Sequence, residues 1–255
     1  MKERKILVIG ETCVDVFVYG HVKRLAPEAP APVLVPKESN QCLGMAGNVK
    51  NNLIRLGVGC DIITNKNYES IKKTRYIDYR TNTLFLRVDV GEDQISAIKE
   101  VDDVTLKKYD IIVISDYCKG LVSKDTIQKI SKAHPRVFLD TKKILGNWCS
   151  DVYVIKINSD EFDRSSEEIL ESNFLEEKII CTHGSSGCSY KGKVYKVPRV
   201  EIKDLSGAGD AFLAGLAAKY LETQSIKASI PYANKCATLA VQKRGVFLDT
   251  IENHD

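Results

Sequence analysis

Six short apolar runs recur along the chain: Ile6 to Ile9, Cys60 to Thr64, Ile111 to Ser115, Val137 to Asp140, Val152 to Lys156 and Ile179 to Thr182. Each is bounded by polar residues or glycine. Runs of this length without polar alternation suit strands buried on both faces, the situation of a parallel sheet covered by helices. Helical periods lie between several of them. Ala46 to Leu56 sets Val49, Leu53 and Leu56 on one side and ends at Gly57; Ser123 to Ala133 opens on a serine cap and repeats Ile127 and Ile130. Ser225 to Gln242 is a long small-residue helical stretch with a potential break at Pro231. The alternation predicts an α/β doubly wound, mostly parallel sheet, with ligands at the C-terminal ends of its strands.

Two stretches depart from that pattern. Thr12 to Tyr19 and Thr83 to Val90 alternate apolar and other residues with a period of two, the mark of strands in a separate, more exposed sheet. With Ala31 to Pro36 and Ile71 to Tyr79 they form a small β lid, its strands drawn from about 12–36 and 71–90. No repeat, low-complexity tract or composition break marks a linker, so residues 1–255 read as a single domain with a lid. The formal charge of +3 is too small and dispersed to indicate a nucleic-acid or membrane surface. Eight cysteines form no C-x-x-C pair and most lie in apolar segments, which favours reduced, buried thiols over disulfides or zinc. The charged start, Met1 to Lys5, runs into an apolar stretch too short for a signal peptide, and no run reaches membrane-spanning length; the expected compartment is the cytoplasm.

The chemistry is concentrated in Asp204-Leu-Ser-Gly-Ala-Gly-Asp210 and the alanine- and leucine-rich run that follows. Small residues let a backbone pass close to a ligand, and the positive end of the following helix makes Gly207, Ala208 and Gly209 an anion site. Asp210 places a carboxylate beside it. A carboxylate next to bound polyphosphate has an obvious task, taking a proton from an attacking hydroxyl in phosphoryl transfer. The plainer reading is an acidic residue in the first turn of an ordinary helix. Other candidates also have plain readings. Asn158 and Glu161 suit an Asn turn with a helix-start acid as well as a metal role. Asp15 on an alternating strand can face solvent, Gly57-Val-Gly59 suits a helix stop better than a dinucleotide fingerprint, and His134 suits a helix end better than a catalyst.

Gly44-Met-Ala-Gly-Asn48, leading into Val49 to Gly57, together with Asp204 to Phe212, resembles the signature pair of the PfkB/ribokinase family of carbohydrate kinases. The similarity spans nearly the whole chain. Arg24 to Val33, Lys73-Thr-Arg75, Leu86-Arg-Val-Asp89, Ser115-Asp-Tyr-Cys-Lys-Gly120 and Asp140-Thr-Lys142 are similar to phrases of that family's bacterial D-glycero-heptose-7-phosphate kinases. The resemblance implies a ribokinase-like three-layer α/β/α fold and an ATP- and Mg²⁺-dependent kinase, with a monovalent cation left open. Asp210 would be the base and Gly207, Ala208 and Gly209 the anion hole. Asp15, Gly44 and Asn48 would hold the sugar, with Arg87, Asp116 and Lys142 as weaker contacts to its phosphate or chain. Asn158 and Glu161 would organise hydrated magnesium and phosphates, Thr182 and Gly184 would line the nucleotide phosphates, and Asn234 would lie near adenine.

The expected reaction is phosphorylation of the anomeric hydroxyl of a heptose 7-phosphate to the 1,7-bisphosphate. Alternatives are another sugar or sugar phosphate, such as ribose or fructose 1-phosphate, or a relative that binds without turnover. Two departures bear on specificity. Met45 stands where the family has the second glycine of a G-G pair, and Cys60 to Arg75 is short, which implies a trimmed sheet edge or lid. A homodimer fits the resemblance, and any coupled nucleotidyl transfer is expected of a separate chain.

Overall fold

A computed structural model describes residues 5–99 and 101–245. In chain order its elements are β1 (Lys5–Gly10), β2 (Thr12–Leu25), β3 (Pro32–Met45), α1 (Ala46–Arg55), β4 (Gly59–Ile63), β5 (Lys72–Asp78), β6 (Leu84–Val90) and α2 (Asp103–Leu106). There follow β7 (Ile111–Asp116), α3 (Lys124–Ala133), β8 (Val137–Thr141), β9 (Val154–Asn158), α4 (Ser159–Arg164), α5 (Ser166–Glu171) and β10 (Ile179–Thr182). The last elements are β11 (Cys188–Tyr190), β12 (Lys193–Tyr195), α6 (Ala208–Thr223) and α7 (Ile226–Val241).

All six apolar runs become strands of one eight-stranded sheet, ordered β12-β11-β10-β9-β8-β7-β1-β4. From β4 to β10 every neighbouring pair is parallel, and only the pairs β10–β11 and β11–β12 are antiparallel. Successive side chains leave a strand on opposite faces, so each buried strand feeds two cores. Ile6, Val8, Ile111, Val113 and Phe138 pack with Leu53 of α1, Phe212 and Leu216 of α6, and Ile230 of α7. Leu7, Ile9, Ile112, Ile114 and Leu139 pack with Ile127 and Ile130 of α3 on the other side. The result is the expected α/β/α sandwich. Burying each such aliphatic side chain contributes roughly 1.5–3 kcal/mol before the entropy of ordering is set against it.

The second sheet has four strands, ordered β3-β2-β5-β6, with β2 and β5 parallel and the outer pairs antiparallel. Only Glu11 separates β1 from β2, so the chain passes from the main sheet into this lid within one residue. β3 runs on to Met45, well beyond the expected Ala31 to Pro36, because it is an edge strand whose polar stretch Lys37 to Gln41 is exposed and carries no apolar alternation. The potential break at Pro231 does not occur. Pro231 lies inside α7, where the carbonyl it frees belongs to exposed Lys227 and the helix packs along α6. The short segment after Cys60 leaves β4 as the edge of the main sheet, with only a turn at Tyr68–Ser70 before lid strand β5.

Candidate active site

The loop before α6 is shaped by Asp204. Its carboxylate accepts from the Ser206 amide at 2.8 Å and from the Gly245 amide at 3.2 Å, while its own amide reaches the Val241 carbonyl. Gly207, the residue before the helix, has φ 77°, a left-handed conformation that glycine adopts without strain. The first-turn amides of Ala208, Gly209 and Asp210 precede the first intrahelical bond, from Ala211 to the Gly207 carbonyl. The Ala208 amide is partly turned toward the Leu205 carbonyl, at 3.5 Å.

Asp210 is buried, and each of its oxygens accepts one hydrogen bond. Asn48 Nδ2 donates to Oδ2 and the Tyr117 hydroxyl to Oδ1, both at 2.8 Å. Burial pushes the carboxyl up to about 6, against the pull of those two donors. Tyr117 stays protonated, because burial and the neighbouring Asp210 charge hold its hydroxyl well above the ordinary tyrosine value.

Three cavities lie along the loop and helix start that carry this group. One of about 440 Å³ has apolar walls from Val197, Val200, Leu205, Phe212, Ala237 and Val241, with Thr182, Gly184 and Asn234 at its margin. A small polar chamber of about 150 Å³ is lined by Asp140, Lys156, Asn158, Glu161, Gly207 and Asp210, among others. A third, of about 360 Å³, brings together Asp15, Lys73, Arg75, Arg87, Lys119 and Lys142. Gly209 borders the first two, and Asp210 borders the last two. Asp210 therefore stands where a group in the charged cavity would meet one in the polar chamber.

The sequence profile of the pfkB family carbohydrate kinases matches residues 69–252. The chain belongs to that family. That family is one of carbohydrate kinases. It is 30% identical to the bifunctional protein HldE of Helicobacter pylori strain J99 over 301 aligned positions, covering 98% of this chain and 65% of that protein. The HldE of a Nitratiruptor species is 27% identical over 99% of this chain and 64% of its own length. The chain thus spans less than two thirds of the curated relatives it matches. Among solved structures, a putative ribokinase from Agrobacterium tumefaciens superposes with a TM-score of 0.75 at 15% identity, covering 95% of this chain and 92% of its own. Arabidopsis thaliana ribokinase, complexed with ribose and ATP, gives 0.69 at 15% identity, covering 95% and 94%. At these identities the superpositions speak for the ribokinase-like fold.

Within this pfkB-family chain most of the expected site residues gather at the cavities, Asp116 at the polar chamber among them. Asp15, Asp210, Arg87, Lys142, Asn158, Glu161, Thr182, Gly184, Asn234 and the Gly207 to Gly209 backbone all converge on the three cavities or their immediate walls. Asp15 is not solvent-facing: it is buried, ion-paired with Arg75, and its carboxylate lies over Gly44, where a Cβ would meet Oδ2 at 2.1 Å. Several expected site residues are also engaged by partners within the protein. Asn48 gives its amide to Asp210, and the buried Asp116 carboxylate is taken up by Thr141 Oγ1 at 2.5 Å and Lys143 Nζ at 2.6 Å. Arg87 is held by Asp89 in two hydrogen bonds, at 2.7 and 2.6 Å. Asn158 and Glu161 form a reciprocal cap on α4, each side chain accepting from the other's amide, and Glu161 Oε1 also accepts from Lys142 at 3.2 Å.

His134 caps α3, its ring nitrogens bound by the Tyr109 carbonyl and the Arg136 amide, as a helix-end residue should be. All eight cysteines are free thiols, Cys118 exposed. No described helix is long and apolar enough to cross a membrane.

Several site residues escaped the sequence reading. Lys156 lies in the polar chamber, paired with Asp140 at 2.8 Å and close enough to Gly209 that a Cβ there would meet Nζ at 2.9 Å. Burial works against its ammonium, but Asp140, with Glu161 and Asp210, outweighs that and holds its pKa above the ordinary lysine value. Lys73 and Lys119 both reach Glu92, and Lys73 also reaches Asp89. The Lys73-Thr-Arg75 phrase contains Lys73, with Arg75 two residues on; a lysine at the end of an apolar run, as in Val152 to Lys156, was the other available signal. Met45 is buried at the wall of the charged cavity with φ 57° and ψ −134°, a strained conformation for any residue with a side chain.

Proposed function

We propose that this kinase transfers the γ-phosphoryl group of ATP to the anomeric hydroxyl of a heptose 7-phosphate. The observation that carries the reading is the charged cavity: five cationic side chains, Lys73, Arg75, Arg87, Lys119 and Lys142, line it together with Asp210. A neutral sugar requires hydroxyl acceptors and donors, whereas five cations converging on one cavity suit a substrate that carries its own phosphate. The HldE relatives, similar over nearly this whole chain, are the second support.

In this reading the apolar cavity takes the adenine and ribose, with Thr182 and Gly184 along the phosphates and Asn234 beside the base. Asn234 already donates its amide to the Tyr195 carbonyl at 3.0 Å. The polar chamber receives the terminal phosphates, where the Gly207 to Gly209 backbone and Lys156 offset their charge. Magnesium bound to those phosphates would supply further charge neutralisation. Among the described residues no three metal-ligating side chains cluster, which fits an ion carried mainly by water and phosphate, with Glu161 and Asn158 reached through water. Asp15 and Gly44 lie where sugar hydroxyls would bind. Asp210 takes the proton of the acceptor hydroxyl as the phosphoryl group moves in line. Nucleotidyl transfer, if coupled to this step, belongs to a separate chain or module, and the proposed compartment is the cytoplasm.

Incubation with ATP, Mg²⁺ and a panel of sugars and sugar phosphates, read by mass spectrometry, tests the reading. One phosphate should be gained by heptose 7-phosphate in preference to ribose, fructose 1-phosphate or unphosphorylated heptose. A better unphosphorylated acceptor would remove the heptose assignment.

A further inference from the structure

Asp210 is held by a chain of contacts that starts at Glu11, a residue with no solvent exposure at the joint between the two sheets. The Glu11 backbone carbonyl accepts from the Ala46 amide at 2.9 Å, fixing the start of α1, the helix that carries Asn48. Its carboxylate accepts from three amides of the loop after β7: Tyr117 at 2.8 Å, Lys119 at 3.0 Å and Leu121 at 3.2 Å. One buried acid thus anchors both donors to Asp210. The Tyr117 ring is further confined, packed on the cluster of Cys13, Met45 and Ile71 with Lys142 Nζ 5.1 Å above it. Such a hydroxyl has little freedom to turn elsewhere.

We infer that Tyr117 is a positioning residue for the phosphoryl-acceptor reaction, its hydroxyl, seated by Glu11, fixing the Asp210 carboxylate at the junction of the charged cavity and the polar chamber. The inference rests on the reading of Asp210 as the base. A donor to a carboxylate favours the ionised form, so Tyr117 also keeps Asp210 ready to accept a proton near neutral pH. The other groups that bear on Asp210 act around this bond: Asn48 donates to the second oxygen, Asp140 opposes ionisation, Lys156 favours it, and Asp15 and Lys142 face it across the charged cavity.

Tyr117→Phe in the full chain removes the hydroxyl and little else. Carboxyl ¹³C NMR, with the Asp210 signal assigned from Asp210→Asn, should show the Asp210 midpoint rising by about half to one pH unit, because the ionised form has lost a donor. With ATP, Mg²⁺ and heptose 7-phosphate, or the acceptor the panel identifies, kcat should fall about tenfold with the KM for ATP unchanged. Tyr117→Phe on top of Asp210→Asn should cost nothing more. A tyrosine with a merely structural role would lower thermal stability and leave the midpoint and the kcat in place; that result overturns the inference. If instead Asp210→Asn itself keeps turnover within a few-fold of wild type, the base reading fails, and the NMR shift still reports whether Tyr117 holds the carboxylate.

Discussion

The apolar cavity beside Gly209 and the charged cavity beside Asp210 are built in opposite ways. The apolar one is walled by side chains of α6, α7 and the segment 197–205, with few charges among them. The other is lined by five cations, most of them set by lid strands β5 and β6 and by the loop after β7, each already paired with a carboxylate. An apolar wall accepts a flat, neutral base by burial alone. A set of paired cations behaves differently: it keeps charged side chains ordered without a ligand, and an incoming dianion must compete with Asp15, Asp89, Glu92 and Glu161 for them. That competition favours a substrate with a phosphate over one with hydroxyls only. In the proposed reading, this contrast is what would separate nucleotide from acceptor.

The most severe way to test the contrast is to remove the carboxylate where the charged cavity meets the polar chamber. Asp210→Asn should lower turnover about a hundredfold or more while ATP binding, measured by calorimetry, persists. A step down in size, Arg87→Ala or Lys142→Ala should raise the KM for heptose 7-phosphate roughly tenfold or more and leave the KM for ATP nearly unchanged, since a lost charge-assisted contact is worth about 1.5–3 kcal/mol. Normal kinetics in both variants would detach these cations from the substrate. The converse change belongs in the other cavity. Ala237→Phe fills the apolar space and should raise the KM for ATP by about tenfold with little effect on the acceptor, given the usual cost of overpacking.

The smallest effect concerns pH. A base must be ionised to act, and burial raises the Asp210 carboxyl to about 6, so kcat/KM should fall as pH drops through that value. The same shift bears on stability: the folded-state pKa lies above that of an unfolded aspartate, so the folded protein binds the extra proton between them. The Asp210 contribution therefore favours the fold at low pH and is lost as pH rises through about 6. A thermal-unfolding series in wild type and Asp210→Asn should show that slope only in the wild type.

The same physical differences decide which parts of the site were legible in the sequence. The buried strands announced themselves because parallel strands covered on both faces must be apolar throughout, and the anion loop did so because only small residues let a backbone turn there. Edge strand β3 beyond Pro36 did not, since a solvated edge imposes no alternation. Lys156 was hidden because its run looked like ordinary core; nothing local says that one lysine in it points to a chamber of carboxylates. Glu11 was hidden for a related reason. Its partners are backbone amides more than a hundred residues away, and backbone donors leave no signature in composition. Asn158 and Glu161 were legible as a pair, but the cap they form satisfies the same pattern as a ligand-binding role, so spacing alone could not separate the two.

The assignment of one cavity to each substrate is tested most directly by a structure with a non-hydrolysable ATP analogue, Mg²⁺ and heptose 7-phosphate. Adenine should lie against Val200, Ala237 and Val241, the terminal phosphate beside Gly207 to Gly209, the acceptor's anomeric hydroxyl within hydrogen-bond reach of Asp210, and its 7-phosphate among Lys73, Arg75, Arg87, Lys119 and Lys142. A nucleotide seated in the charged cavity, or phosphates gathered at Gly57 to Gly59, would contradict that assignment.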